Sequence, residues 1–283
     1  MASTRSSLRN DVYYHRGLHM NCPSTTPSSR HDLIVSFGLV LLALLFPILP
    51  AAAATTGTLV CTSGEHQTTL LELFTSEGCS SCPPAEAWFS RLVDSPKLWT
   101  EFVPVAFHVN YWDYLGWKDR FASPQFTQHQ QAYAAAWQRP TLYTPAFVVN
   151  GREAGSSGRT QILERTNAKP GSLRVECPEK SGCVVSFTPA SGVTGPFDAH
   201  IVWLECGVTV KIAHGENARR ELRHDFLARL WQNTALRDAD GVATAQMALP
   251  SPTEQVGVRS ALAVWVTRRG ALMPLQATGC WLK

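Results

Sequence analysis

The first strong pattern in the chain is a short apolar run at residues 70–74, Leu-Leu-Glu-Leu-Phe, of the length and density of a buried strand. A turn of small and polar residues follows, Thr75 to Gly78, then Cys79-Ser80-Ser81-Cys82 and Pro83-Pro84. Ala87, Trp88, Leu92 and Val93 fall on one side of a helix led by these prolines, whose missing N–H groups cost nothing in a first turn. Residues 102–109 predict a second buried strand, 110–119 an aromatic-rich loop, and 124–138 a helix with Phe126, His129, Gln130 and Tyr133 on one stripe. Thr144-Pro145 then precedes a Phe-Val-Val run and an Asn150-Gly151 hairpin turn, which places the proline at the start of its strand.

Beyond a Gly/Ser-rich joint at 154–158 and a short helix predicted at 161–166, the pattern changes. Short β runs recur at 173–176, 184–187, 199–204, 208–213, 242–248 and 262–267, as in an antiparallel sandwich. Residues 219–231 suit either a helix or strands. His200, His214 and His224 lack metal-ligand spacing and read as scattered surface residues, and Gly215-Glu216-Asn217 reads as a turn. There is no nucleophile–His–acid triad, Walker-type loop or GxGxxG.

The 283 residues allow a sizeable core, and a net charge of +3 is too small to argue for nucleic acid. A polar, basic lead, an apolar run at 33–49 and an Ala-rich stop predict a secretory signal peptide, with an uncleaved membrane anchor at 33–49 as the alternative. Export, periplasmic or secreted, accounts for eight cysteines. Cys22 lies in the lead. Cys177 and Cys183 flank a hairpin-like turn, and Cys206 and Cys280 each close an apolar run that a bridge would staple. Cys61 is left over, either free or displacing one of those partners, because spacing does not fix connectivity.

A Cys-x-x-Cys at the start of a helix suits redox chemistry, since the helix N-terminus stabilises a thiolate. Cys79 is the expected attacking sulfur and Cys82 the resolving one. Half a zinc site and an inert structural bridge are the other readings.

The Cys79-Ser80-Ser81-Cys82 element with Thr144-Pro145 resembles the thioredoxin-like superfamily. More narrowly, LLELFTSEGCSSCPPAE, FHVNYWDYLGWKDRFASPQFT, YTPAFVVNG and HGENARREL resemble the secreted domain-of-unknown-function family numbered 1223. The resemblance implies an α/β fold: a thioredoxin-like domain over 66–168, then a mainly antiparallel, sandwich-like β domain over 169–283, behind a lead and signal peptide or membrane anchor at 1–54. It implies a cis peptide before Pro145, facing Cys79, with the Thr144 backbone pairing with a bound peptide. It also places Glu72 where a buried acid passes protons to Cys82; a solvent-facing carboxylate is the other reading. His108 ends the second strand, as a base or metal ligand near the thiols or as a core histidine.

The function expected is thiol–disulfide exchange on polypeptides, without a bound cofactor, with a redox partner protein and with membrane contact only through an uncleaved N-terminal segment. The alternatives are copper or zinc binding through Cys79, Cys82 and His108, and a non-catalytic binding module.

Overall fold

The computed structural model of the chain describes residues 57–155, 166–178, 182–248 and 256–282. The predicted signal segment or anchor, residues 161–165 of the helix predicted at 161–166, and the turn at 179–181 lie outside them. No helix among the described residues is long and apolar enough to cross a membrane.

In chain order the elements are β1 (Leu59–Thr62), β2 (Thr69–Thr75), α1 (Pro83–Ser90), β3 (Phe102–His108), α2 (Pro124–Ala136), β4 (Ala146–Val149), β5 (Arg152–Glu153), β6 (Gly171–Cys177), β7 (Cys183–Pro189), β8 (Phe197–Cys206), β9 (Val208–Lys211), β10 (Glu221–His224), β11 (Leu227–Ala235), β12 (Arg237–Ala239), β13 (Val242–Met247), β14 (Arg259–Arg268) and β15 (Pro274–Trp281). The ambiguous 219–231 segment is therefore two strands. Three sheets form, in the orders β1-β6-β7-β13-β12, β10-β9 and β15-β14-β8-β11-β3-β2-β4-β5.

This architecture corrects the expected α/β, thioredoxin-like fold. Strands dominate, and α1 and α2 are the two α-helices among the described residues. The sheet that carries the cysteine motif is mixed: β2–β3 and β3–β11 run parallel, and its other neighbours are antiparallel. Four of its eight strands, β8, β11, β14 and β15, come from residues 197–281. The described residues belong to one compact unit. Periodicity marked many of the strands, though not β1, β5 or β12, and carried no information on their partners, so the pairing of β3 with β11 was invisible to it.

All seven positions of β2 are buried, and all seven of β3. Sheet neighbours cover the edges of β2 and helices cover both its faces, so the run is continuous rather than alternating. Leu73 and Thr75 face α1, where they meet Glu86. Glu72 and Phe74 face α2, where they meet His129 and Tyr133. Ser123 caps α2 by accepting from the Gln125 N–H (3.2 Å), Pro124 fills its first turn, and the predicted stripe is buried. Asn150 and Gly151 have φ of 48° and 78°, the positive values that a two-residue hairpin turn needs.

The five-stranded sheet packs on the C-terminal part of the large one. Leu173, Val175, Val185 and Phe187 meet Ala199, Ile201, Leu262 and Val264 in that core. Cys61 and Cys280 are bridged, as are Cys177 and Cys183. Cys206 is a free, buried thiol rather than a strand staple, and burial pushes it up to about 12.

On β8, His200 stacks on Trp265 (5.0 Å, 5°), and its Nδ1 is buried without a partner. Burial, with His129 nearby, lowers its pKa from 6.5 to about 4 against the opposing pull of Asp198. The folded protein thus keeps His200 neutral where the unfolded chain takes up a proton. Stability is full above pH 6.5 and declines as pH falls toward about 4. Replacing His200 with Phe should remove roughly 3 kcal/mol of that acid-side decline, read from urea unfolding at pH 7 and pH 4.

Candidate functional site

The Cys79–Cys82 pair is a disulfide at the turn between β2 and α1. Cys82 occupies the N-cap and Pro83-Pro84 the first turn of the eight-residue helix. Cys79 is 2% exposed and Cys82 fully buried; Ser80 and Ser81 are the residues of the loop that face solvent. The Thr144–Pro145 peptide is cis. The Thr144 carbonyl lies 3.8 Å from Cys79 Sγ and 3.4 Å from Ser81 Oγ, and that hydroxyl is 3.3 Å from Cys79 Sγ. Cys79, Cys82, Thr144 and Pro145 therefore meet at one place.

Two distant segments hold the loop. The aromatic loop crosses it at Gly78, where an added Cβ would come within 3.1 Å of Trp112 Cβ and its carbonyl oxygen. Trp112 Nε1–H donates to Thr144 Oγ1 (2.8 Å), and Trp117 Nε1–H donates to Glu77 Oε2 (2.7 Å). From the other side, Asn217 donates through Nδ2 to the carbonyls of Glu77 and Cys79, each at 2.9 Å, and Glu216 accepts from the Ser80 N–H (3.3 Å). Gly215 fits against this loop because its Cβ would lie 3.0 Å from Trp117 Cβ.

Beneath the motif is a closed group of acids and imidazoles. His224 bonds Glu86 through Nδ1 (2.6 Å) and Glu77 through Nε2 (3.2 Å). His108 bonds Asp119 through Nδ1 (2.6 Å), and Asp119 also accepts from the Glu77 and Phe121 N–H groups. Thr75 donates to the other Glu86 oxygen. All five titratable residues are buried. Burial alone would favour neutral His224, but Glu86 and Glu77 outweigh it and push its pKa up to about 10. Burial likewise works against ionised Glu86 and Asp119. His224 outweighs it at Glu86 and lowers that pKa; His108 outweighs it at Asp119, holding that carboxyl at about 2.

The whole of this geometry falls within the match to one family model, that of the protein of unknown function (DUF1223), over residues 70–267. The chain belongs to that family. The DUF1223 chain is also similar to two solved structures. One is the crystal structure of protein AGR_C_4864 from Agrobacterium tumefaciens, at 22% identity and TM-score 0.53, over 77% of this chain and 95% of that one. The other is HBP35 of Porphyromonas gingivalis, at 15% identity and TM-score 0.53, over 78% of this chain and 76% of that one. At these identities the likeness is one of fold. No curated protein matches the chain.

Two expected site residues of this DUF1223 chain sit elsewhere than beside the thiols. Glu72 is fully buried on the α2 face, with His129 Nε2 and the Tyr133 hydroxyl on its two oxygens at 2.6 Å each, across the sheet from α1. His108 sits with His224 and Glu86. Among the described residues, Glu86, His108 and His224 are the group of three potential ligands within 4.8 Å of one another; Cys79, Cys82 and His108 form no such group.

Sequence reasoning passed over Glu77, Glu86, Asp119, Asn217 and His224. One signal for His224 was present. Leu222 and His224 alternate with exposed neighbours in β10, which puts both on the inward face.

Replacing Asn217 with Ala strips the donor from two carbonyls in a fully buried setting. The expected loss is about 2–4 kcal/mol in urea unfolding, with faster reduction of the Cys79–Cys82 bridge by a small thiol as the loop loosens.

Proposed function

We propose that Cys79 and Cys82 carry out thiol–disulfide exchange with polypeptides in an oxidising, extracytoplasmic setting. The carrying observation is the position of Cys79 Sγ, 3.8 Å from the carbonyl before cis-Pro145 and at the head of a proline-led helix. Three disulfides support an oxidising environment, and export through the N-terminal segment is part of the proposal.

In the exchange, a substrate thiolate attacks Cys79 Sγ, the Cys79–Cys82 bond breaks, and Cys82 leaves as a thiolate. A second substrate thiolate attacks the substrate sulfur of the mixed disulfide and Cys79 leaves. Two electrons pass to the protein and the substrate becomes a disulfide; run in reverse, the steps reduce a substrate disulfide. The helix N-terminus and the Ser81 hydroxyl stabilise the Cys79 thiolate. Because Cys79 is 2% exposed, the Ser80–Ser81 segment has to move aside for the attacking sulfur to reach it. Thr144 and Pro145 line the approach beside Tyr143, a residue that is 41% exposed and offers an apolar contact to the substrate chain.

Insulin reduction with a thiol donor tests the reading. The wild type should accelerate precipitation, Cys79→Ser should fall to the background rate, and Cys82→Ser should accumulate a mixed disulfide through Cys79. Equal rates for wild type and Cys79→Ser would remove the proposal.

A further inference from the structure

We infer that Glu86, His108 and His224 form a binding site for a divalent transition-metal ion of the zinc class, separate from the cysteines. Each of the three offers a ligand atom, these atoms lie within 4.8 Å of one another, and all three residues are buried. Two imidazoles and a carboxylate are a common set of protein ligands for zinc.

The outer partners fit that role. A metal-bound imidazole usually gives its other nitrogen to a carboxylate, which fixes its orientation. His108 gives Nδ1 to Asp119, and Asp119 is itself held by two backbone N–H groups. His224 gives Nε2 to Glu77, and Glu77 is held by the Trp117 indole. This leaves His108 Nε2, His224 Nδ1 and the Glu86 carboxylate as the ligand atoms, with Thr75 supporting Glu86.

Charge points the same way. Glu77, Glu86 and Asp119 are enclosed together, and among the described residues their ion pairs are with histidines only. Nearby Asp225 has its own partner in Arg223. With both imidazoles neutral, as ligation requires, the three carboxylates hold three negative charges away from water, and a divalent ion brings the total to one. The choice of ion follows from the donors. Imidazole nitrogens suit an ion of the zinc class, whereas Mg²⁺ takes oxygen donors and keeps several waters. Binding displaces the proton of the His224–Glu86 hydrogen bond, and the two ligand atoms, 2.6 Å apart in that bond, separate to admit the ion. The site does not depend on thiol exchange.

The test uses full-length protein prepared without chelator, analysed for bound metal by mass spectrometry, and then loaded with Co²⁺ as a spectroscopic probe. One metal per chain is expected in the wild type and in the Cys79→Ser/Cys82→Ser double variant. The Co²⁺ form should show visible d–d bands without a sulfur charge-transfer band. Glu86→Gln and His224→Gln should lose the metal, and Asp119→Asn should weaken it by about 10–100-fold. Circular dichroism checks that the near-isosteric Glu86→Gln and Asp119→Asn proteins are folded, so the result stands even if His224→Gln does not fold. Folded wild type without stoichiometric metal overturns the inference. So does metal that the cysteine variant loses, or that Glu86→Gln and Asp119→Asn bind as tightly as the wild type.

Discussion

The hydrogen bond between Glu86 and His224 is a constraint that links distant parts of the chain. Taking a carboxylate out of water costs several kcal/mol unless a partner is held in place. That requirement couples the first turn of α1 to the hairpin strand β10, and through Glu77, His108 and Asp119 to β3 and the aromatic loop. Glu86 lies one turn along from Cys82, so tethering it also sets where the helix begins. The disulfide owes its position above the sheet to charges that never touch it.

The strands around this group meet at a narrow joint. β3 pairs with β2 along its whole length but with β11 through one register pair, Leu227 with Ala106, helped by the Ala106 N–H to the Phe226 carbonyl. Phe226 is fully buried, with φ of 54°, a conformation that strains a bulky residue. Its ring packs edge-on against Phe89 and Trp99, and this burial offsets the strain. The N-terminal strands and the C-terminal ones become a single sheet where that ring is clasped.

What could be read in advance was local. The stripe of α2, the Asn150-Gly151 turn and the strand runs each depend on neighbours a few residues apart, and the structure keeps them. The fold class was misjudged because it depends on pairing across most of the chain, as between Ala106 and Leu227, for which an apolar run holds no address. Glu72 shows the same limit. Its strand left burial and solvent exposure both open, and which helix covers its face is decided by how α2 packs. His224 was nearer to being legible, since the alternation in β10 turns it inward; its partners Glu77 and Glu86 lie in another part of the chain.

The bridge between Cys61 and Cys280 sets a timetable for making the protein. Its two sulfurs are 219 positions apart in sequence, whereas Cys79 meets Cys82 within one turn of chain. During synthesis the short loop has both halves at once, but Cys61 stays single until 219 further residues have emerged. Until then the chain carries a lone thiol 18 positions before a pair that can already close.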